Sequence, residues 1–255
     1  MGAVGWTQQG RSFDGVRARF NPSWASLDIM GYQTMDRVAV SVQDDSTFWG
    51  AYAVIGTGAA GYLDLYVFHQ TADSGVDTDQ SSFGARPAGK TGTVSYRGEA
   101  TVQSGTRAGD DASAYMLGGR LRFDVGGSGT LILWYDFLSG APNPNDGETR
   151  VCDTMFATNH KFYGVADMFL NTPAHTGGQG LQDLAVKGSY RVSPEVSFGL
   201  DLHTFSLVEQ RALASSHPGE EVDATLRYRY TGNVIPFRVG FPGCCRTTRG
   251  PTSGA

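Results

Sequence analysis

Apolar and polar side chains alternate with a period of two along much of the chain, and the polar positions are often charged. The stretch DGVRARFNP is one example, in which apolar residues alternate with arginines: Val16, Arg17, Ala18, Arg19 and Phe20. A helix would distribute the charges around its circumference, whereas a β-strand places the two kinds of residue on opposite faces. The alternation therefore predicts a β-strand with one apolar and one charged face.

The same alternation recurs in SYRGEATVQSG, AYMLGGRLRFDV, QDLAVKGSYRVS and EVDATLRYRYTG. Sequences typical of turns, such as VGGSGT and APNPNDGE, separate the alternating stretches. We therefore expect an all-β protein of about 12–13 strands, without a helix or a domain linker. Looser patterns predict the remaining strands within residues 24–36, 47–58, 61–73, 81–90, 129–140, 164–173 and 196–210.

The composition of the charged face distinguishes two all-β architectures. A soluble β-sandwich turns its polar face to solvent, where Lys, Glu, Thr and Ser are expected. Here that face is rich in arginine, and aromatic residues lie near the strand ends of the apolar face. Such strands are typical of an antiparallel, up-and-down transmembrane β-barrel, with a soluble sandwich or soluble barrel as the alternative. The carboxylates expected to share the charged face are Asp28, Asp64, Asp136 and Asp201.

Composition and charge exclude several function classes. The chain has 255 residues and a formal net charge of −5, which argues against a nucleic-acid-binding protein. No segment has the roughly 18 consecutive apolar residues of a transmembrane helix. The first residues contain no stretch typical of a signal peptide, so an exported protein of this sequence would be a mature form or a fragment. Cys244 and Cys245 are adjacent and match neither a disulfide framework nor a CxxC metal site.

Motifs that could indicate chemistry have simpler interpretations. GTGAAG matches a dinucleotide fingerprint, but a strand-like sequence follows it instead of a helix, so we expect a hairpin turn. Asp73, Asp77 and Asp79 lack the spacing of a calcium loop and are expected to be solvated. Asp201 and His203 point to one side of a strand and are expected to join a polar network in the wall of the pore. We predict no enzyme activity, no cofactor and no metal site.

Seven segments, taken in chain order, carry a resemblance to a known family: GWTQQGRSFDGVR, WGAYAV, LDLYVF, FGARPAGK, YRGEATVQSG, YDFLSG and TNHKFYGVADMFLN. Together they resemble the alginate-export family of outer-membrane β-barrels, from about Gly5 to about Asn233. The resemblance implies an eighteen-stranded, monomeric barrel in the bacterial outer membrane, in contact with its lipid. It also implies a charged pore that passes an anionic polysaccharide or oligosaccharide such as alginate.

TNHKFYG is the most specific of these segments. The resemblance implies that it ends a long loop, anchors it to the barrel rim and leads into the next strand, with Gly164 at the turn. His160 would then not be a catalytic base. The expected loop-anchor residues are Asn159, His160, Lys161, Phe162 and Tyr163.

The charged faces of the predicted strands give the residues expected to line the pore. Arginine binds carboxylates through two hydrogen bonds without losing its charge, and a polyuronate carries one carboxylate per sugar. Interspersed acidic residues would prevent binding too tight for release. A network that only supports the barrel wall is the alternative role for each arginine. The predicted set is Arg17, Arg19, Arg97, Glu99, Arg120, Arg122, Asp183, Lys187, Arg191, Asp201, Asp223, Arg227 and Arg229.

Two features depart from the family. About 12–13 strands are fewer than eighteen, which implies that N-terminal strands are absent. After Asn233, Pro236 interrupts the expected closing strand, and a Gly/Arg/Thr-rich tail resembles out-of-frame translation. We therefore expect a barrel domain over residues 1–240 and a disordered tail over residues 241–255. Three functions stay open: an anionic-saccharide conduit, a general or differently selective porin, and a soluble carbohydrate-binding β-sandwich.

Overall fold

The computed structural model describes residues 13–35, 46–58, 61–73, 77–157, 159–213, 215–230 and 233–243. As the alternation predicts, this part of the chain is almost entirely β. It also contains a 3-10 helix and a single-turn helix α1, and no helix there is long and apolar enough to cross a membrane. The strands are β1 Asp14–Phe20, β2 Ala25–Met35, β3 Ser46–Gly56, β4 Tyr62–Ala72, β5 Thr78–Thr91, β6 Val94–Arg107, β7 Asp110–Val125, β8 Gly129–Leu138, β9 Glu148–Thr149, β10 Leu181–Arg191, β11 Val196–Ser206, β12 Gly219–Tyr230 and β13 Asn233–Pro242, and the helices are Asn159–Lys161 (3-10) and Thr172–His175 (α1).

The strands form one 13-stranded sheet in which successive long strands are neighbours. Each strand pairs antiparallel with the next, from β1 to β8 and from β10 to β13, while the short β9 pairs parallel with β7. This strand order confirms the predicted up-and-down, antiparallel all-β fold. β1 and β13 lie at opposite ends of the order, so the sheet does not close on itself within the described residues.

One face of the sheet, which we call the outer face, is apolar and exposed. Leu117, Leu121, Leu184, Val186 and Leu226 all lie exposed on it. Exposed aromatic residues mark both ends of this apolar band, as in outer-membrane barrels. Those near the short turns are Tyr96, Tyr190, Phe198, Tyr228 and Tyr230, and those near the longer connections are Trp49, Tyr115 and Tyr135.

The opposite, inner face is polar and is partly covered by the connection between β8 and β10. We call this connection, residues 139–180, the inward loop. Its Tyr163 and Phe169 are buried in one cluster with Leu138, Leu181 and Phe205 of the surrounding strands. Among the residues that the structure describes, the main apolar cluster therefore lies between the inward loop and the sheet, not between two sheets.

The prediction of a strand over residues 164–173 is wrong. This segment forms turns and then enters α1, and β10 begins only at Leu181. Backbone with positive φ at Gly164 (86°) and Asp167 (59°) is incompatible with a continuous strand. Pro173 lies in the first turn of α1, where its missing N–H costs no helical hydrogen bond. TNHKFYG thus lies within a long loop, as the family resemblance implies, but does not lead directly into a strand.

The chain remains regular beyond Asn233, where we expected the strand pattern to fail. β13 pairs with β12 along its whole length, and its outward residues Ile235, Phe237, Val239 and Phe241 are all exposed. Pro236 is compatible with this pairing because β13 is an edge strand of the described sheet. The predicted domain boundary at residue 240 therefore falls inside β13, and the rest of the predicted tail, from residue 244, lies outside the described residues.

Nitroxide labels on β7 test which face of the sheet meets lipid. We expect labels at Leu117 and Leu121 to be relaxed by oxygen, which concentrates in the bilayer, because both side chains are exposed on the outer face. Labels at Arg120 and Arg122, on the inner face of the same strand, are the matched controls and should respond to a water-soluble nickel complex. Electron paramagnetic resonance in lipid bilayers measures both. The reverse pattern would show that the register of β7 is shifted by one residue.

Candidate functional site

The inner wall at the first strands carries two arginines that share one carboxylate. Arg17 and Arg19 on β1 each donate two hydrogen bonds to Asp28 on β2, over 2.7 to 2.9 Å. Both guanidinium groups are about half exposed, whereas the Asp28 side chain is mostly buried. Because two positive charges face one negative charge, this part of the wall keeps a net positive charge.

Sequence analysis missed a third arginine of the inner wall. Arg86 on β5 donates to the buried carboxylate of Asp64 and, over 3.0 Å, to the hydroxyl of Tyr52. The alternation of β5 is hard to detect because its outward positions near Arg86 are Ala85 and Pro87, which are small or only weakly apolar. A pattern method that accepted Ala and Pro as outward residues would have found Arg86.

Two further arginines face each other across β6 and β7. Arg97 is the register partner of Arg120. The Arg120 guanidinium lies over the Trp134 ring, 3.2 Å from its centroid, and 3.7 Å from the Asp136 carboxylate. Arg97 forms no salt bridge with any residue that the structure describes. Both arginines, together with Glu99, line a cavity of about 380 Å³ under the inward loop, which we call the central cavity.

The predicted polar residues of β10 and β11 pair across these two strands. His203 lies 2.9 Å from Asp183 on the neighbouring strand, and both side chains are fully buried. Asp201 lies 3.8 Å from the Lys187 ammonium. All four groups lie on the inner face, so Asp201 and His203, which were predicted to join a polar network of the wall, each have a partner on the neighbouring strand.

The remaining predicted cations lie near the short turns. Arg122, Arg191, Arg227 and Arg229 line a second cavity of about 510 Å³ at this end of the wall. Arg122 pairs with Asp124 at 3.1 Å, and Arg191 donates to a backbone carbonyl. Within the described part of the chain, Arg227 and Arg229 have no carboxylate within salt-bridge distance. This end of the inner face is therefore the more positive one.

Asp153 attaches the tip of the inward loop to the sheet. Its backbone N–H donates to the Gln103 side chain at 2.8 Å, and the Gln103 amide donates back to the Asp153 carbonyl at 2.9 Å. The Asp153 carboxylate accepts a hydrogen bond from Gln70 at 2.7 Å and lies 3.3 Å from the Arg107 guanidinium. Next to it, the Phe156 ring packs edge-on against Phe48 of β3. Strands β3 to β6 thus all contact the tip.

The residues predicted to anchor the loop are mostly turned toward its own interior. The Asn159 amide donates to Leu170 at 3.1 Å and to Thr172 at 2.8 Å, so it ties two turns of the loop together. His160 lies 2.6 Å from the Asp167 carboxylate, also in the loop. Phe162 and Tyr163 are the residues that pack on the wall, the former beside Trp134 and the latter in the buried cluster, whereas Lys161 is exposed.

A second attachment joins the loop backbone to two buried carboxylates of β12. The Val165 N–H donates to Asp223 at 3.1 Å, and the Ala166 N–H donates to Glu221 at 2.7 Å. Gly164, with φ at +86°, precedes them, and a Cβ on it would overlap the Glu221 carboxylate. The glycine therefore serves the close contact between loop and wall, and not a turn into a strand as the sequence suggested.

Two groups of the inward loop are kept neutral by burial. Burial, reinforced by the neighbouring Asp153, raises the pKa of the Cys152 thiol to about 12. Burial also raises the pKa of the Tyr163 phenol well above its usual range. Neither is poised to act as a nucleophile or an acid near neutral pH. We find no cluster of three metal-binding side chains in the described residues.

The comparison with known families identifies the protein. The sequence matches the family model described as "Alginate export" over residues 1–246. The chain belongs to the alginate-export family. It is therefore a β-barrel protein of the bacterial outer membrane, in a family of channels, and the soluble β-sandwich is excluded. The match passes Asn233, which agrees with the regular pairing of β13. No curated protein matches the sequence.

Solved structures of the Occ and Opd proteins of Pseudomonas aeruginosa share the fold. OccK11 (OpdR) has a TM-score of 0.62 at 13% identity, over 94% of this chain and 67% of that chain. OccK10 (OpdN) has a TM-score of 0.61 at 14% identity, over 93% of this chain and 69% of that chain. OpdK, solved with vanillate, has a TM-score of 0.52 at 13% identity, over 90% of this chain and 69% of that chain. At such low identity these likenesses show the fold alone.

Replacing Gly164 with alanine should loosen the inward loop. We expect Gly164→Ala to cost more than the roughly 1 kcal/mol that a positive φ imposes on alanine, because the new Cβ also overlaps Glu221. Gly92→Ala is the matched control, since Gly92 has φ at 60° and open space around its Cβ position. Urea unfolding in detergent and proteolysis of the loop would measure both variants. Equal effects would mean that the contact with Glu221 does not hold the loop.

Cys152 should report whether the inward loop stays in place. With Cys244 and Cys245 replaced by serine, we expect iodoacetamide at pH 8 to label Cys152 slowly, because the thiol is buried and its pKa is about 12. Labelling should accelerate as the pH rises toward 12, where the thiolate becomes populated. Guanidinium-unfolded protein, whose thiol regains an ordinary pKa, is the control. Rapid labelling of the native protein at pH 8 would show that the loop leaves the wall.

Proposed function

We propose that the protein is an outer-membrane channel that passes an anionic polysaccharide or oligosaccharide, such as alginate, along an arginine-rich inner wall. The observation that supports this proposal is a set of inner-face arginines that share one carboxylate or have none within salt-bridge distance in the described residues. Two arginines share Asp28, Arg97 has no salt-bridge partner among the described residues, and four arginines line the cavity near the short turns. An anionic chain would find carboxylate-binding groups at successive heights along the wall.

The pairing of the other cations suits conduction rather than tight binding. Arg86 is held by Asp64, and Lys187 lies near Asp201, so each presents a partly neutralised charge. A polymer that meets such groups can exchange one weak contact for the next, which transport requires. The inward loop narrows this route, because its tip lies on strands β3 to β6. We expect the protein to work as a monomer in contact with outer-membrane lipid.

A general or differently selective porin is the second candidate. One observation favours it, namely that OpdK, which has the same fold, was solved with vanillate, a small carboxylate. A channel for small carboxylates would also benefit from a positive wall. The two candidates differ in what blocks the current. Long polyuronate should block a saccharide channel at concentrations at which vanillate does not, and the order should reverse in a small-carboxylate porin.

Removing three positive charges from the inner face should weaken the anion preference of the pore. We expect the triple variant Arg120→Ser, Arg122→Ser, Arg227→Ser to shift the reversal potential in a salt gradient toward that of an unselective pore, because fixed charge sets the ion partition. Arg150→Ser is the control, since Arg150 pairs with Asp146 and Glu148 in the inward loop. Planar-bilayer recordings, repeated with polyuronate, make the measurement. An unchanged potential would show that these arginines only support the wall.

A further inference from the structure

The inner wall contains an aromatic patch that breaks the rule of polar residues inside. Tyr52 on β3 and Tyr66 and Phe68 on β4 all face the lumen, and we call them the aromatic wall. Their ring planes are nearly parallel, at 4° between Tyr52 and Tyr66 and 20° between Tyr66 and Phe68. In a membrane barrel an apolar inner surface brings no benefit from lipid contact, so these rings require another explanation.

Glycines on the neighbouring strands let these rings lie flat. A Cβ on Gly84, the register partner of Tyr66, would overlap the Tyr66 ring, and a Cβ on Gly50 would overlap Phe68. The rings therefore lean over the backbone of the adjacent strand. One face of the Tyr66 ring and one face of the Phe68 ring cover a glycine, and the opposite faces are turned toward the lumen, where both rings are only partly buried.

The hydroxyl groups of the wall are already engaged. Tyr66 donates to Glu99 at 3.0 Å, and Tyr52 donates to Asp64. The tyrosines therefore present ring faces, and not free hydroxyls, to anything in the central cavity. Sugars present patches of C–H groups on their ring faces, which pack on aromatic rings as apolar surface does.

The central cavity also contains two facing arginines, of which only Arg120 forms a salt bridge among the described residues, with Asp136. Arg97 faces Arg120 across the strands, and like charges in such positions repel. Arg120 is compensated by Trp134 and Asp136, and Arg86 in the same cavity by Asp64. The acidic groups that line the cavity are Glu99, Asp136 and Asp153. Of its three arginines, Arg97 is the one that the described residues leave without a salt bridge.

We propose that the central cavity is a binding site for a single uronate residue, whose ring packs on Tyr66 and Phe68 and whose carboxylate pairs with Arg97. The proposal rests on the function proposed above and names the subsite that binds one sugar unit of the polymer. The cavity of about 380 Å³ is large enough for a sugar unit, since pockets for small ligands span about 300–1,000 Å³. Glu99 and Asp136 are positioned on the same cavity to accept hydrogen bonds from sugar hydroxyls.

Such a site requires both a ring and a carboxylate in its ligand. A neutral hexose would pack on the aromatic wall but leave Arg97 unpaired. A simple anion such as acetate would pair with Arg97 but leave the rings uncovered. The subsite thus predicts a selectivity that a diffuse positive field, which attracts any anion, would not produce.

The test is binding of a mannuronate disaccharide to the purified protein in detergent micelles, measured by isothermal titration calorimetry. We expect Arg97→Gln to weaken binding about tenfold or more, because a charge-assisted hydrogen bond is lost. Arg150→Gln is the matched control. Arg150 pairs with Asp146 and Glu148 in the inward loop and does not line the central cavity, so its replacement should change binding less than about twofold.

The aromatic contribution has its own matched pair. Tyr66→Leu should weaken binding about fivefold or more, whereas Tyr66→Phe, which keeps the ring and loses only the hydroxyl, should stay within about threefold of the parent. Circular dichroism and Cys152 protection verify the fold of each variant. If Tyr66→Leu does not fold, Phe68→Leu replaces it. The neutral disaccharide mannobiose and acetate should each bind at least about tenfold more weakly than the uronate.

Equal losses in Arg97→Gln and Arg150→Gln, or equal binding of mannobiose and the uronate, would overturn the subsite. Bilayer recordings separate this failure from failure of the proposed function. A pore that prefers anions and is blocked by polyuronate, but whose central cavity does not bind the disaccharide, would retain the function without the subsite. A pore without anion preference or polyuronate block would contradict the function itself.

Discussion

The structure depends on one constraint, which is that backbone N–H and C=O groups in a membrane have no water to bind and must pair with a neighbouring strand. Pairing into a continuous antiparallel sheet leaves each side chain only two environments, the outer face or the inner face. Because the choice alternates residue by residue, one slip in register would expose the arginines to lipid. The long, regular pairs of β5 to β7 show how firmly the register is maintained.

The same constraint explains why the polar interior needs so many mutual contacts. The apolar side chains of this sheet face outward, so they do not form a core between two packed sheets. The charged side chains face inward, and several of them find partners on neighbouring strands. Asp28, Asp64 and Asp183 each find one or two such partners, and all three are mostly or fully buried. The inward loop supplies further donors through its backbone N–H groups. The apolar cluster around Phe169 of the loop and Phe205 of β11 also packs the loop against the sheet.

The sequence predicted the parts of the fold that depend on local pattern. The division of each strand into an apolar and a polar face follows from alternation, which each strand carries by itself. Contacts between elements did not follow, because they depend on which strands are neighbours. The partner of His203, for example, is Asp183 on the neighbouring strand, which the pattern of β11 alone does not indicate.

The prediction of a strand over residues 164–173 was wrong for a related reason. Their apolar side chains looked like one face of a strand, yet Phe169 is buried under the loop. The aromatic wall could not be predicted either. The segment YLDLYVF is apolar on both faces, so only the strand register shows which of its rings face inward. The pattern after Asn233 was misjudged because Pro236 was treated as a break, although an edge strand tolerates it.

The attachment of the inward loop also shapes the electric field of the lumen. Glu221 and Asp223 accept hydrogen bonds from the loop backbone, and Asp183 pairs with His203, so these three carboxylates are occupied at the loop end of the wall. They are then poorly placed to neutralise the arginines farther along β10 and β12 toward the short turns. On both strands the acidic residues come at the loop end and the basic residues at the turn end. One set of contacts therefore holds the inward loop in place and leaves the positive charge beyond it unneutralised by these three carboxylates.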